Sequence, residues 1–130
     1  MGNYTNVAES NSIRFNHDIE IDPDRLPIND YELCVILGNL LDNSLNACMK
    51  SRVEQRPFVS LGISTARQNT LCIQTSNTYL DEKNSTEGEV NFEHGYGLRN
   101  IEEIVKQHDG LLQITQKDSV FRVAIAIPIL

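Results

Sequence analysis

Asn39, Asn43, Asn46 and Lys50 recur at steps of three and four, which is the spacing of one helical face. They sit in a segment whose pattern predicts a helix from about Asp30 to Arg52, with Asn29 or Asp30 as N-cap. Leu33, Leu37, Leu40, Leu41, Ser44 and Cys48 recur at the same steps on another face and mark the side that is buried. Asparagine is a mediocre helix former, because its carboxamide competes for backbone hydrogen bonds. Two of them one turn apart, among leucines, therefore ask for a reason. One reason is plain solvation of a polar face. The other is chemical: carboxamide oxygens suit a hard cation such as Mg²⁺, which takes oxygen ligands and keeps several of its waters. Asn46 and Lys50 extend the stripe and are read as facing solvent.

A second signal lies downstream in His94-Gly95-Tyr96-Gly97-Leu98-Arg99-Asn100-Ile101. It opens a helix with apolar positions Leu98, Ile101, Ile104 and Val105, ended by Asp109-Gly110, with Gly110 assigned the left-handed C-terminal position. Glycines before a helix either relieve a tight turn or let a phosphate approach the backbone. The helix start adds unpaired N–H groups and the positive end of the dipole. The spacing is neither that of a P-loop nor a GxGxxG after a first strand, so only the combination of features points to phosphate. From Asn77 to Glu93 the pattern disappears, and Asp81, Glu82, Glu87, Glu89 and Glu93 make the stretch acidic. A loop of that length inside a compact domain reads as a lid or as disorder.

The remaining elements must position these two segments. Ile13, Phe15, Ile19 and Ile21 suggest an edge strand with a slip near His17, stopped by Pro23 and Pro27. Val59, Leu61 and Ile63 alternate with Phe58, Ser60, Gly62 and Ser64, and a turn at 66–69 leads into Leu71 to Thr75 as a hairpin. A second hairpin joins Leu111 to Gln116 with Val120 to Ile127 through Lys117-Asp118-Ser119. A chain of 130 residues is one domain able to bury a core, here assigned to 13–130 after a loose start or cloning boundary at 1–12. A net charge of -7 argues against non-specific nucleic-acid binding. No apolar run approaches the ~20 residues of a membrane span, and no signal pattern opens the chain. The three cysteines, Cys34, Cys48 and Cys72, read as small core residues in a reducing compartment.

In that order and separation the two motifs resemble those of the GHKL ATP-binding superfamily. Leu37 to Cys48 looks like its N-box, and His94 to Ile101 looks like its second glycine box. The resemblance is nearest to the catalytic ATP-binding domain of sensor histidine kinases, in the Agr-type peptide-pheromone receptor branch. It implies a two-layer α/β sandwich of the Bergerat ATP-binding type, with helices on one face of a mixed, largely antiparallel sheet. It implies ATP and Mg²⁺ as cofactors. Asn43 would hold the metal, Asn39 would line the same wall, and Gly95, Gly97 and Leu98 would present N–H groups to the phosphates. His94 would either touch a phosphate or cap the lid hinge. The superfamily's first glycine box, whose aspartate reads the adenine amino group, is absent. Ser76-Asn77-Thr78 stands in its place, so that Asn77 would read adenine through an uncharged amide.

Asn39 separates branches within the resemblance. The gyrase, heat-shock chaperone and mismatch-repair ATPases, and the anti-sigma-factor serine kinases, carry a glutamate there as general base. An amide accepts no proton at neutral pH. Histidine kinases tolerate it, because an imidazole is already nucleophilic and the domain has only to position and support phosphoryl transfer. His17-Asp18 is too close to Pro23 and Pro27 for an acceptor helix, and His108 reads as a helix-dipole contact. The expected function is transfer of the γ-phosphoryl group of Mg-ATP to a histidine on a dimerisation domain outside this chain, with a response regulator engaged indirectly. That places the domain in the cytoplasm as part of a membrane-anchored parent, touching neither membrane nor nucleic acid itself. The alternatives are a non-catalytic nucleotide-binding module that signals through its lid and, disfavoured by Asn39, an anti-sigma serine kinase.

Overall fold

The computed structural model describes residues 13–50, 57–79 and 95–130. The loose start at 1–12, the extension of the first helix to Arg52, most of the acidic loop and His94 lie outside the described residues. The elements are β1 (Arg14–Glu20), a 3₁₀ turn at Pro23–Arg25, α1 (Asp30–Lys50), β2 (Phe58–Arg67), β3 (Thr70–Thr78), α2 (Gly95–Gln107), β4 (Leu111–Lys117) and β5 (Val120–Pro128). The strands form one sheet in the order β1-β2-β3-β5-β4. Only the β1–β2 pair is parallel. Both helices pack on one face, α1 over β2 and β3 and α2 over β4 and β5, and they touch each other. This is the expected two-layer α/β sandwich.

Local chemistry explains the boundaries. Asn29 caps α1 through a reciprocal box: its Oδ1 accepts from the Glu32 N–H at 2.8 Å, and Glu32 Oε1 accepts from the Asn29 N–H at 3.1 Å. Both hairpins turn on two residues with positive φ, Gln68 (49°) with Asn69 (53°) and Asp118 (54°) with Ser119 (63°). That geometry follows the right-handed twist of the strands on either side. The 3₁₀ turn is tied to the first hairpin, because Arg25 donates to Thr65 O at 3.3 Å and to Asn69 Oδ1 at 2.6 Å.

The core fills the space between sheet and helices. Val59, Leu61 and Ile63 of β2, Leu71 and Ile73 of β3, and Phe121, Val123, Ile125 and Ile127 of β5 line its floor. Ile36, Leu40, Leu41, Leu45 and Cys48 of α1 cover them with Ile101 and Val105 of α2. The expected stripe on α1 is therefore seen, except that Leu33 and Leu37 are only half-buried while Ile36 and Leu45 are buried.

Four details differ from the sequence reading. β1 has no slip: it pairs without interruption from Arg14↔Phe58 to Glu20↔Ser64, and His17 simply occupies an in-phase position between Phe15 and Ile19. β3 continues through Asn77 and Thr78, which pair with Phe121 and Val120. Cys34 is exposed and Cys72 is half-buried on the face away from the helices, so only Cys48 is a core residue. At the end of α2, Asp109 takes the left-handed conformation at φ 56°, and no described glycine has a positive φ. Gly110 is required for a different reason, since a Cβ there would lie 2.7 Å from the Ala126 carbonyl oxygen and 3.0 Å from side chains of Ile127 and Val105.

Two predictions follow from this packing. Gly110→Ala pushes β4 off β5 and is expected to cost about 1–3 kcal/mol in denaturant unfolding, while Asp109→Gly relieves a left-handed residue and costs nothing comparable. Burial pushes the Cys48 thiol up from its ordinary range, and its sulfur lies against Phe58 O at 3.2 Å. A thiol reagent is expected to label Cys34 in the native state and Cys48 only on unfolding, as read by mass spectrometry of timed aliquots.

Candidate functional site

Two contacts orient α1. At its C-terminal end, Cys48 Sγ lies 3.4 Å from Thr78 Oγ1 and contacts Phe58 O, where β2 begins and β3 ends. Near its N-terminus, Glu32 Oε2 lies 2.9 Å from His108 Nε2, one residue beyond the last turn of α2. The helices are in contact and tied at that end. A rise of ~1.5 Å per residue carries each about 20 Å from the tie, to the level of Leu45 on α1 and Gly95 on α2. The Gly95 end of α2 and the Leu45 level of α1 thus lie equally far from the tie. Tyr79, at the end of β3, bonds through its N–H to Ser119 O at 3.1 Å, fixing the point where the chain leaves for the acidic loop.

On that frame, Asn39 and Asn43 are half-buried and Asn46 is exposed, while the side chain of Lys50 lies outside the described residues. Neither Asn39 nor Asn43 makes a side-chain hydrogen bond among the described residues, which leaves their amide oxygens free for a ligand. Gly95, Gly97 and Leu98 occupy the first turn of α2, where backbone N–H groups lack intrahelical partners. Leu98 also packs its side chain against the core.

Asn77 is the most informative of these residues. It lies on the helix-facing side of β3, opposite Val59 and Phe121, and is 1% exposed. Its Nδ2 donates to Thr78 O at 2.9 Å. Among the described residues no donor reaches its Oδ1. A buried acceptor left unpaired costs about 1–3 kcal/mol, and an exocyclic amine arriving from a ligand would remove that cost. Such a group fits the residues present.

Two features escaped the sequence reading. Thr75, 1% exposed, shares the inner face of β3 with Asn77, whereas Ser44, 3% exposed, lies on the side of α1 where its spacing put it. Alternation through Leu71, Ile73, Thr75 and Asn77 was the available signal for Thr75. The Glu32–His108 tie had none, because it joins residues distant in sequence. His17 stands exposed on edge strand β1, not on a helix. On the opposite face, a shallow trough runs over Gly62, Ala124 and Ala126 with Asp18 and Glu20 at its rim. The sheet separates it from the asparagine stripe.

A helix pair of this kind, laid on a mixed five-stranded sheet, is the architecture of histidine kinase catalytic domains. The catalytic domain of histidine kinase ThkA superposes with a TM-score of 0.71 at 14% identity, covering 98% of this chain and 86% of that one. The Acinetobacter baumannii histidine kinase AdeS gives 0.69 at 12% identity, over 98% of this chain and 60% of that one. The histidine kinase domain of the Erythrobacter litoralis EL346 blue-light activated histidine kinase gives 0.66 at 14%, over 97% and 57%. The chain thus spans about three fifths of the last two. No curated protein matches it. The GHKL domain family model matches residues 28–128, and the chain belongs to that family. Among the described residues, no helix is long and apolar enough to cross a membrane.

The helix tie generates a pH prediction. The hydrogen bond from His108, with that from Asn29, holds the Glu32 carboxyl below its ordinary value of 4.5. A depressed folded-state value means that the contribution to stability is complete above the unfolded value and is lost as pH falls through the folded one. Glu32→Gln is therefore expected to unfold at lower denaturant than wild type at pH 6, with the gap closing as pH falls below about 4. Equilibrium denaturation at both pH values reads the difference.

Proposed function

We propose that this chain is the ATP-binding catalytic domain of a sensor histidine kinase, of the Agr-type peptide-pheromone receptor branch, acting as a protein histidine kinase. The observation that carries the reading is Asn77, buried on the helix-facing side of β3 with no donor among the described residues reaching its Oδ1. One Nδ2–H is committed to Thr78 O, and the Oδ1 acceptor is left for a ligand. That acceptor suits the amino group of adenine. Asn43 holds Mg²⁺ through its amide oxygen, Asn39 lines the same wall, and the first turn of α2 supplies N–H groups for the phosphates from Gly95, Gly97 and Leu98. His94 belongs to the same reading as a phosphate contact or lid hinge. When bound, Mg²⁺ neutralises phosphate charge and helps fix its geometry.

Asn39 gives the domain its chemical character. It offers no base to a water or a serine, so efficient ATP hydrolysis and serine phosphorylation are disfavoured. The acceptor is an imidazole on a dimerisation domain of the parent kinase, with the phosphoryl group passed on to a response regulator. The placement of His17 on an edge strand supports an acceptor elsewhere. The domain works on the cytoplasmic side of a membrane-anchored parent, and residues 13–130 make up the functional unit.

Calorimetric titration with a non-hydrolysable ATP analogue, with and without Mg²⁺, tests the reading. Wild type is expected to bind in a magnesium-dependent way. Asn43→Ala is expected to weaken the magnesium-dependent part about tenfold, and Asn77→Ala to weaken binding in either condition by a similar factor. Absence of binding at about 1 mM ligand would remove the proposal. Binding without transfer to a separately supplied acceptor domain would reduce the chain to a nucleotide-sensing module.

A further inference from the structure

The two edges of the sheet are defended unequally. Edge strand β1 carries Arg14, His17, Asp18 and Glu20, charged or titratable groups of the kind that discourage strand addition. Edge strand β4, Leu111-Leu112-Gln113-Ile114-Thr115-Gln116-Lys117, carries no acid, no proline and a single charge at its end. Its pairing with β5 runs from Leu111↔Ala126 to Lys117↔Val120 without a bulge. Leu111 is 76% exposed and Ile114 40%. Alternate residues of such a strand direct N–H and C=O groups at solvent, which makes it a template for another strand.

We infer that β4 is a docking edge for a second copy of this chain, joined by antiparallel β4–β4 pairing about a twofold axis through Gln113. In that register Leu112 of each copy faces Ile114 of the other on the helix side of the sheet, giving two apolar cross-strand pairs. Leu111 faces Thr115 on the open side. Lys117 reaches the level of Asp109 in the other copy, so opposite charges meet at both ends of the ladder. Each chain has a net charge of -7, and two copies repel across most of their surfaces. β4 itself carries no acidic residue, and the complementary pair flanks it, although Asp118, Glu102 and Glu103 stand nearby. An isologous contact closes on itself at two copies and creates no open fibre.

Gln113 is exposed and faces its own counterpart, so it reports on the register without disturbing the fold. Sedimentation equilibrium of the full 130-residue chain, up to about 1 mM, is expected to show a reversible dimer. Gln113→Lys alone and Gln113→Glu alone place like charges opposite each other and are expected to weaken it about fivefold or more. An equimolar mixture of the two variants is expected to dimerise at least as tightly as wild type. Thermal unfolding of each variant checks that its fold is unchanged. A wild-type chain that stays monomeric would overturn the inference and leave the edge to a foreign strand or to solvent. A dimer indifferent to both substitutions, or a mixture no tighter than either variant alone, would overturn it as well.

Discussion

Burial of one stripe of α1 against β2 and β3 governs everything else in this molecule. Ile36, Leu40, Leu41 and Leu45 are each at most 4% exposed. Full burial of such a side chain contributes about 1.5–3 kcal/mol. Together they rival the whole net stability of a typical domain, about 5–15 kcal/mol. The helix-propensity cost of an asparagine is well under 1 kcal/mol. The leucines therefore decide how α1 rotates, and the asparagines must accept the direction this leaves them. Asn39 and Asn43 are left half-buried beside the apolar stripe by residues that carry no polar group.

The second constraint is the contact of α2 with α1. It rests on packing of Ile101 and Val105 into the shared core, and on Glu32, whose two oxygens serve two purposes. One completes the cap of α1 and the other receives His108. Because the helices are joined far from the glycine end, the first turn of α2 can change its surroundings without disturbing that tie. The same end of the sheet holds Asn77, fixed in position by the ladder to Phe121 and by its own bond to Thr78 O. Asn77 is thus held where the chain leaves β3.

Much of this was legible in the residues. The long helix, both hairpins and the final strand were carried by periodicity, which is local and survives any rearrangement of the elements. The misreadings share a cause. At β1, the histidine in an apolar phase looked like a slip, although an edge strand tolerates a polar residue facing outward. At the end of α2, glycine looked like the left-handed residue, yet Asp109 takes that conformation and Gly110 is required by the approach of β5. In each case the deciding neighbour came from a distant part of the chain.

The sequence by itself determined the elements, the polar stripe and the glycine-led helix, because hydrophobic period and capping chemistry act within a few residues. Tertiary structure decided which strands became edges and which of two charged ends met. It also decided whether Asn77 would be solvated or buried with an acceptor unpaired. Those outcomes depend on sheet order and on helix direction, which arise only when segments far apart in the chain compete to bury the same apolar surface.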